Sequence, residues 1–338
     1  MKNGLISDPQ TVKEALSSTN AKNWKEAMDE EYQSLLDNNT WEITTLPAGK
    51  RPLPCKWVFK TKTNENGEIT KYKARLVVKG CSQKQGIDYT EVFSPVVRHA
   101  SLRYLFALSV KYNLDICQMD AVSAFLQGEI EEEIYMMPPP MYDNIGQVCR
   151  LKKSLYGLKQ ASRQWNKKLS YALKSMGLLQ SQLDPCIYYK LMDENNMIFL
   201  AIYVDDLILF TNNEKTKNHI KAELHKQFKM KDLGDISYCI GIHIERDREK
   251  GVIYLDQRKY IQEVLYKYGM SDCKIAKTPI DHNTKFQEKL DSTKNLKDNY
   301  PYQEIIGCLL YISQVTRPDI SFVINLLSKY NNKPEMSH

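Results

Sequence analysis

The stretch that decides the fold is MIFLAIYVDDLILFTN, residues 197–212. Two apolar runs, Ile198–Val204 and Leu207–Phe210, flank one acidic pair, Asp205-Asp206. Runs of this length, rich in β-branched and aromatic residues, are typical of buried strands, and a two-residue gap predicts a hairpin with the pair at its turn. Tight turns prefer Asn-Gly or Asp-Gly, and adjacent like charges repel. A solvated turn and a divalent-metal site both account for the pair.

A third carboxylate ends another predicted strand, Leu114–Asp120, within QMDAVSAFLQG at residues 118–128. If this strand neighbours the hairpin in one sheet, Asp120, Asp205 and Asp206 converge at one edge. Carboxylates are hard oxygen ligands that suit Mg²⁺, and two ions about 3.5–4 Å apart suit an in-line phosphoryl displacement. The three aspartates therefore favour the metal site, and a two-metal phosphoryl-transfer enzyme is the broadest functional class that they predict.

The composition is that of a globular, weakly basic protein. The chain has 338 residues, of which 42% are hydrophobic and 26% charged, with a net charge of +6, and this predicts two or three subdomains. Lys56–Lys84 carries eight basic and two acidic residues, and Arg150–Lys174 carries eight basic and no acidic residues. Such segments suit a polyanion such as nucleic acid, although a solvated face of a helix or strand has the same composition.

The cysteines and the apolar runs argue against several classes of protein. The eight cysteines lie at least 26 positions apart and form no Cys-x-x-Cys pair, so we expect no zinc site and a reduced, intracellular compartment. The N-terminus MKNGLISDPQ lacks the features of a secretory signal, and Asp205 interrupts the longest apolar run. We therefore expect no membrane-spanning segment.

Single helices alternate with hairpins along the chain, which predicts an α+β fold with a mostly antiparallel sheet. We expect residues 1–20 to be a loosely ordered polar leader, followed by an amphipathic helix that ends at Asn38-Asn39. The remaining predicted elements are a basic hairpin of Lys56–Thr63 and Glu68–Lys79 around Asn64–Gly67, a helix that ends at Gly177, a hairpin of Tyr238–Ile244 and Val252–Leu255, a helix over Lys259–Tyr268, a polar linker over Ile275–Asn299, and two short helices around Arg317-Pro318-Asp319.

Six blocks resemble the reverse transcriptase of copia-like long-terminal-repeat retrotransposons. They are YKARLVVKG at 72–80, DYTEVFSPVVR at 88–98, QMD-x-x-x-AFL at 118–126, SLYGLKQA at 154–161, YVDD at 203–206 and RPDI at 317–320. The blocks follow the family's order and cover most of the chain from about Trp24 onward. The resemblance implies a right-hand polymerase with fingers, palm and thumb, acting as an RNA-directed DNA polymerase with two Mg²⁺ ions, for which Mn²⁺ can substitute.

The resemblance also implies the catalytic residues. Asp120, Asp205 and Asp206 match the metal-binding aspartates of the family's palm. Phe125 matches the aromatic residue that crowds the sugar 2′ position and favours deoxynucleotides. Without its spacing from Asp120, Phe125 has an ordinary interpretation as a core residue.

Substrate-binding roles are implied for six further residues: Lys73, Arg75, Tyr156, Gly157, Lys159 and Tyr203. The two basic residues fall in the fingers stretch that grips the incoming triphosphate, and the residues at 156–159 match a loop near the template and nucleotide. Tyr238–Ile244 resembles the hairpin that grips the primer. The alternatives are an exposed strand face for Lys73 and Arg75, a turn glycine at Gly157 and an ordinary strand aromatic at Tyr203.

The same resemblance implies a subdomain division and a set of partners. The expected segments are a leader at 1–20, fingers at 21–100, a palm with inserted fingers residues at 101–246, a thumb and linker at 247–300, and the start of a connection at 301–338. The implied partners are an RNA template, a DNA primer, deoxynucleoside triphosphates and a second copy in a dimer, inside a cytoplasmic virus-like particle. The family's integrase and ribonuclease H regions are missing, so we expect a fragment or a decayed copy. The alternative function is a non-catalytic remnant that binds nucleic acid.

Overall fold

A computed structural model describes residues 8–63, 68–142, 146–193, 196–281, 284, 300–335 and 337–338. The chain divides into two compact units. The first unit consists of Met1–Val97 and Gln118–Leu233, and the second unit of Arg98–Cys117 and Gly234–His338. The predicted boundaries of fingers, palm and thumb are not tested by this division into two units, and they stay predictions.

Helices and short antiparallel strands alternate along the chain, as expected for an α+β fold. The helices are α1 Val12–Ser17, α2 Ala21–Asp37, α3 His99–Lys111, α4 Ala124–Gln127, α5 Ala161–Ser175, α6 Glu214–Gln227, α7 Arg258–Lys267, α8 Tyr302–Val315 and α9 Ser321–Ser328. The strands are β1 Trp41–Thr44, β2 Cys55–Thr63, β3 Ile69–Val78, β4 Asp115–Ala121, β5 Tyr135–Met136, β6 Val148–Leu151, β7 Leu179–Gln180, β8 Ile187–Leu191, β9 Met197–Tyr203, β10 Asp206–Thr211, β11 Met230–Asp235, β12 Tyr238–Cys239, β13 Ile242–Asp247 and β14 Val252–Asp256.

The largest sheet has six strands in the order β11-β4-β10-β9-β8-β7. Strands β9 and β10 are antiparallel and lie in its middle, with Leu207 opposite Ile202 and Phe210 opposite Phe199. Most side chains of the two strands are buried, on both faces of the sheet, so the sheet is covered on both sides at this point. The sheet also makes β4 the other neighbour of β10, so the strand that carries Asp120 lies beside the acidic hairpin, as the sequence predicted.

Strands β2 and β3 form a separate two-stranded antiparallel hairpin, which we call the basic hairpin. Its apolar side chains alternate with charged ones, so that Trp57, Phe59 and Ala74 are buried while Lys56 and Lys60 are exposed. Helix α2 packs on it through Trp24, whose ring meets Phe59 edge to face at 5.3 Å. The predicted turn of this hairpin, at residues 64–67, lies outside the described residues.

The second unit contains α3, α7, α8, α9 and a three-stranded antiparallel sheet of β12, β13 and β14. The sequence predicted one strand over Tyr238–Ile244, and this is wrong, because the chain bends between β12 and β13. Ile240 and Gly241 have φ angles of 48° and 70°, which interrupt a strand. The Tyr311 hydroxyl donates a hydrogen bond to the Ile240 carbonyl and holds the bend.

The predicted disorder of the leader is also wrong for its described part. Residues 8–20 include helix α1, whose first turn is capped by the Thr11 hydroxyl accepting a hydrogen bond from the Glu14 amide at 3.2 Å. Ala15 of this helix is buried. Residues 1–7 and most of the predicted linker over 275–299 lie outside the described residues.

The thiols differ widely in exposure. Cys117, Cys149, Cys186 and Cys239 are buried, whereas Cys81 and Cys273 are exposed. Burial raises the pKa of the Cys149 thiol and of the Cys186 thiol to about 12. No helix in the described part of the chain combines the length and apolar character needed to cross a membrane.

Candidate active site

The turn of the acidic hairpin consists of Val204 and Asp205, one residue earlier than the sequence predicted. Asp206 is the first residue of β10 and pairs with Tyr203, so the two adjacent aspartates do not form the turn together. Val204 has φ 58°, in the left-handed region that β-branched residues rarely occupy. Such a conformation costs roughly 1–3 kcal/mol, so surrounding contacts must hold it in place.

Two hydrogen bonds hold the carbonyls of this turn. The Trp165 indole Nε1–H donates to the Val204 carbonyl at 2.7 Å, and the Ala121 amide donates to the Asp205 carbonyl at 3.0 Å. Trp165 belongs to α5, and Ala121 is the last residue of β4. The turn is therefore fixed from two sides, and the bond from Ala121 brings the end of β4, with Asp120, to the acidic pair.

Asp206 is held by a side chain of the neighbouring strand. The Gln118 Nε2–H donates to Asp206 Oδ1 at 3.0 Å. Gln118 is 8% exposed and lies two residues before Asp120 on β4, so both side chains point to the same face of the sheet. The amide thus orients one carboxylate of the site.

The electrostatic environment of Asp120 mixes repulsion and attraction. Burial raises the pKa of this half-buried carboxyl, and the charge of Asp205 raises it further. The positive charges of Lys73, Lys231 and Lys62, in that order, lower the pKa, but they do not outweigh the other two effects, and the net shift is upward. Asp120 thus lies where a like charge and several cations compete, which is typical of functional sites.

The donor set fits a divalent ion of the Mg²⁺ type. Burial, together with the charges of Asp205 and Asp120, raises the pKa of Asp206, and a cation would relieve this repulsion. Carboxylate oxygens are the ligands that Mg²⁺ prefers. As the side chains stand, no group of three or more His, Cys, Asp or Glu residues within the described ranges is arranged to hold a metal ion. An ion would require these carboxylates to converge further.

Lys73 and Glu31 face a cavity of about 290 Å³ between α2 and β3, which is also lined by Lys229. Burial lowers the pKa of Lys73, and Arg75 lowers it further, whereas Glu31 and Asp120 raise it. Burial raises the pKa of Glu31. A hydrogen bond from the Leu76 backbone amide and the charges of Arg75 and Lys73 lower it. Glu31 Oε1 is buried without a hydrogen-bond partner among the described residues. The Glu31 side chain is therefore a buried acidic group that interacts electrostatically with Lys73 and Arg75.

Three of the predicted substrate-binding residues form one stack. The Arg75 guanidinium lies over the Tyr156 ring at 4.6 Å, and the Phe125 ring meets the same tyrosine edge to face at 4.9 Å. A cation over an aromatic face and an edge-to-face aromatic pair are both favourable. The structure therefore brings the basic hairpin, the SLYGLKQA loop and helix α4 together at Tyr156.

Gly157 is required by a close approach of two backbones, not only by a turn. It has φ 92°, and a Cβ built on it would lie 2.1 Å from the Val78 carbonyl oxygen. A Cβ on Gly80 would lie 2.1 Å from the Gly157 carbonyl oxygen. The Val78 amide donates to the Tyr156 carbonyl at 2.8 Å. The loop and the end of β3 thus touch along their main chains, with space for hydrogen atoms only.

Lys159 and Tyr203 make their contacts outside the Tyr156 stack. The Lys159 ammonium donates to the Tyr89 hydroxyl at 3.1 Å, and the backbone amide of Lys159 donates to Gln83 Oε1 at 2.8 Å. Its side chain is therefore directed to Tyr89. Tyr203 is half-buried at the end of β9, directly opposite Asp206.

Three residues of the site were not assigned a role from the sequence. Gln118 could have been found from its position two residues before Asp120, because alternate residues share one face of a strand. Trp165 was placed on the apolar face of its helix, which hides the indole donor. Glu31 gives no signal in the sequence, because its burial depends on the packing of α2 against β3.

Comparison with known proteins identifies close sequence relatives. Residues 38–282 match the family described as "Reverse transcriptase (RNA-dependent DNA polymerase)". The Retrovirus-related Pol polyprotein from transposon TNT 1-94 of Nicotiana tabacum is 42% identical over 344 residues, which cover 99% of this chain and 26% of that polyprotein. The Retrovirus-related Pol polyprotein from transposon RE1 of Arabidopsis thaliana is 36% identical over 98% of this chain and 22% of its own length.

The chain spans about a quarter of the length of these curated relatives. Among solved structures, the foamy viral protease-reverse transcriptase dRH in complex with double-stranded DNA covers 93% of this chain and 44% of that one. The sequence identity is 13% and the TM-score 0.46.

Proposed function

Because this chain belongs to the reverse transcriptase (RNA-dependent DNA polymerase) family, with relatives in copia-like retrotransposon Pol polyproteins, we propose that it extends a DNA primer along an RNA template. In this proposal Asp120, Asp205 and Asp206 are the catalytic residues. The proposed substrates are deoxynucleoside triphosphates, an RNA template and a DNA primer.

One observation carries the proposal: the Ala121 amide donates to the Asp205 carbonyl at 3.0 Å. This bond joins the end of β4 to the turn of the acidic hairpin, so that Asp120 of β4, Asp205 of the turn and Asp206 of β10 lie near one edge of a sheet. Asp120 and Asp206 each have a pKa raised by burial and by the neighbouring charges. A solvated turn needs neither this burial nor the mutual repulsion of neighbouring carboxylates, and therefore the metal interpretation is favoured.

The three aspartates would hold the divalent ions, for which Mg²⁺ is the natural choice and Mn²⁺ a substitute. Bound divalent ions activate the attacking hydroxyl and stabilise the leaving oxygens of a phosphoryl transfer. The chain's own residues orient these ligands. Gln118 fixes one oxygen of Asp206 at 3.0 Å, and the backbone of Ala121 fixes the turn that carries Asp205.

Lys73 and Arg75 would neutralise the triphosphate of the incoming nucleotide. The Arg75 guanidinium is already oriented by the Tyr156 ring at 4.6 Å, so little side-chain freedom is lost on binding. Phe125 meets the same ring edge to face, with the ring centroids 4.9 Å apart. Its planar ring would exclude an extra oxygen at the sugar 2′ position by steric overlap.

The family relationship supports a right-hand arrangement for this chain, with fingers at 21–100, a palm at 101–246 and a thumb beginning at 247. The basic segments Lys56–Lys84 and Arg150–Lys174 would contact phosphates of the template and primer, because contacts of this kind need charge and not sequence recognition. The integrase and ribonuclease H activities of a complete polyprotein would come from other segments.

Primer extension with the purified chain tests the proposal. A labelled DNA primer annealed to an RNA template is incubated with deoxynucleoside triphosphates and Mg²⁺, and the products are resolved by length. We expect full extension by the wild type and a loss of roughly a thousandfold or more in rate for Asp120→Asn, because a metal ligand stabilises transition-state charge by several kcal/mol.

Binding of the same template–primer is measured in parallel by fluorescence anisotropy. Equal binding by wild type and Asp120→Asn, with extension only by the wild type, supports the assignment. If the wild type binds without extending any primer, the chain is a non-catalytic remnant that binds nucleic acid. If Asp120→Asn extends within about tenfold of the wild type, the metal assignment is wrong.

A further inference from the structure

Trp165 has one polar contact and one aromatic contact near the acidic turn. It is 1% exposed on α5, and its indole N–H donates to the Val204 carbonyl at 2.7 Å. Its ring meets Phe228 edge to face, with centroids 5.2 Å apart and an interplanar angle of 77°. The aromatic contact fixes the plane of the indole, and the plane fixes the direction of its single donor.

The backbone of Trp165 is also tightly seated. A Cβ built on Gly128 would lie 3.0 Å from the Trp165 amide nitrogen, so the main chains of the two residues are packed closely. Gly128 directly follows α4, the helix that carries Phe125. This close packing limits the approach of α5 to α4 at the residue that carries the indole.

The turn needs such a contact because of the conformation of Val204. This residue has φ 58°, and its branched Cβ makes the left-handed region unfavourable. The position of a hairpin turn sets where each following side chain points. If Val204 relaxes, the Asp205 carboxylate changes direction relative to Asp120, although both residues remain in the chain.

We propose that Trp165 is a positioning residue for the acidic turn: its indole N–H holds Val204 in the left-handed conformation and so directs the Asp205 carboxylate toward the end of β4. The ring alone would serve as core packing. The donor has a separate role, and the two can be separated by substitution. The effect on catalysis rests on the proposed function, whereas the effect on the turn does not.

The matched control is Trp57, a second buried tryptophan of the same unit. It is 3% exposed, and its indole N–H donates to the Pro140 carbonyl at 3.1 Å. W165F and W57F each keep an aromatic ring and each remove one indole donor to a main-chain carbonyl. A purely structural role for Trp165 predicts that the two variants behave alike.

The first measurement is amide hydrogen exchange of residues 197–211 in metal-free protein. We expect W165F to exchange these amides roughly tenfold faster than the wild type, since a local opening follows the free energy of the hydrogen bond that is removed, and W57F to leave them unchanged. This readout needs neither metal nor activity. If the wild type fails to extend primers but the exchange difference persists, the proposed polymerase function fails and the positioning role stands.

The second measurement is the Mg²⁺ concentration that supports half-maximal primer extension. Residues that orient metal ligands change metal affinity by about tenfold or more, so we expect W165F to require roughly tenfold more Mg²⁺. The KM for the nucleotide should stay within about twofold, because the triphosphate contacts lie elsewhere. Identical Mg²⁺ requirements and identical exchange rates in W165F and W57F would overturn the proposal.

Val204→Gly provides an internal test, because glycine occupies φ > 0 without a Cβ penalty. In the V204G background, W165F should accelerate hairpin exchange only about threefold, compared with about tenfold in the wild-type background, since the two residues are coupled. If W165F alone does not fold, V204G/W165F should fold and exchange within about threefold of the rate of V204G. Additive effects, or a double variant that also fails to fold, would reject the role of the indole.

Discussion

The acidic hairpin of β9 and β10 and the basic hairpin of β2 and β3 are both antiparallel, but they differ in their neighbours and in the exposure of their charges. The acidic hairpin lies inside a six-stranded sheet, and its short turn is held by bonds from Trp165 and Ala121. The basic hairpin forms a two-stranded sheet of its own among the described residues, and most of its lysines are exposed. In the proposed function, the charges that need a fixed geometry lie on a buried hairpin, and the charges that contact a flexible polyanion lie on an exposed hairpin.

The largest effect should come from removing one charge of the acidic hairpin. We expect Asp205→Asn to lower the rate of primer extension by roughly a thousandfold or more while template–primer binding stays nearly unchanged. Single-turnover extension and fluorescence anisotropy measure the two properties. Asp37→Asn, at an exposed carboxylate that ends α2, serves as the control. A parallel fall in binding would show that the acidic hairpin contributes to template–primer binding as well as to the rate of extension.

The next largest effect concerns how the basic hairpin is attached. Gly157→Ala should lower the free energy of unfolding by roughly 3 kcal/mol or more, because the new Cβ would meet the Val78 carbonyl at 2.1 Å in addition to the positive φ. Gly86→Ala has a similar φ of 79° with nothing within 4 Å of the built Cβ. This control should lose only about 1–2 kcal/mol in urea titrations. Equal losses would mean that the backbone contact adjusts easily.

A medium effect is expected at Phe125, which reaches the basic hairpin through Tyr156. Phe125→Val should raise the ratio of kcat/KM for a ribonucleotide to that for its deoxynucleotide by roughly tenfold or more, since a smaller side chain removes the steric overlap. Deoxynucleotide use should fall less. The matched control is Phe59→Leu, in the buried core of the hairpin. If the ratio does not rise, Phe125 is a core residue only.

A smaller effect should follow from neutralising exposed lysines of the basic hairpin. Replacing Lys56, Lys62 and Lys71 by Gln should flatten the log–log salt dependence of template–primer binding by about one unit for each phosphate that is no longer neutralised. The weakening should be similar for all template sequences, and the rate of the chemical step should change little. Lys13→Gln/Lys22→Gln, on α1 and α2, is the control. An unchanged slope would identify the hairpin as a solvated face.

The smallest effect concerns Glu31. Burial and Arg75 lower the pKa of Lys73, and Glu31 raises it, so Glu31→Gln should lower that pKa further. The alkaline limb of kcat/KM for the nucleotide should then move to lower pH, by less than about one unit. Profiles on a DNA template, from about pH 7 to about pH 9.5, measure the shift. Glu30→Gln is the control, because Glu30 is exposed and lies 3.8 Å from Lys71. A shift in the opposite direction would contradict the pairing.

The sequence was sufficient to predict the elements that repeat a simple pattern. The apolar runs of the acidic hairpin, the alternating basic hairpin and the strand that ends near Asp120 all follow from periodicity, and the structure confirms them. The position of the turn could not be predicted, because the left-handed conformation of Val204 depends on a donor 39 positions away in the chain. The bend at Ile240 depends in the same way on a distant hydroxyl.

The site shows the same division. The family motifs, and the position of Asp120 at the end of a strand expected to neighbour the acidic hairpin, predicted the carboxylates, and their roles stay proposals. Glu31 could not be predicted, since its carboxylate is buried only where α2 meets β3. Residues that act through one hydrogen bond or one buried charge carry no periodic signal. Only the packed structure reveals them.

The distribution of thiols suits site-specific labelling at native cysteines. A maleimide reacts with accessible thiolates, so the buried Cys149 and Cys186, whose pKa is raised to about 12, are protected from it. The exposed Cys81 and Cys273 lie in the first and the second unit, respectively. With the half-exposed Cys55 and Cys308 replaced by Ser, spin labels or fluorophores at Cys81 and Cys273 would report whether the distance between these two native positions changes when a template–primer binds.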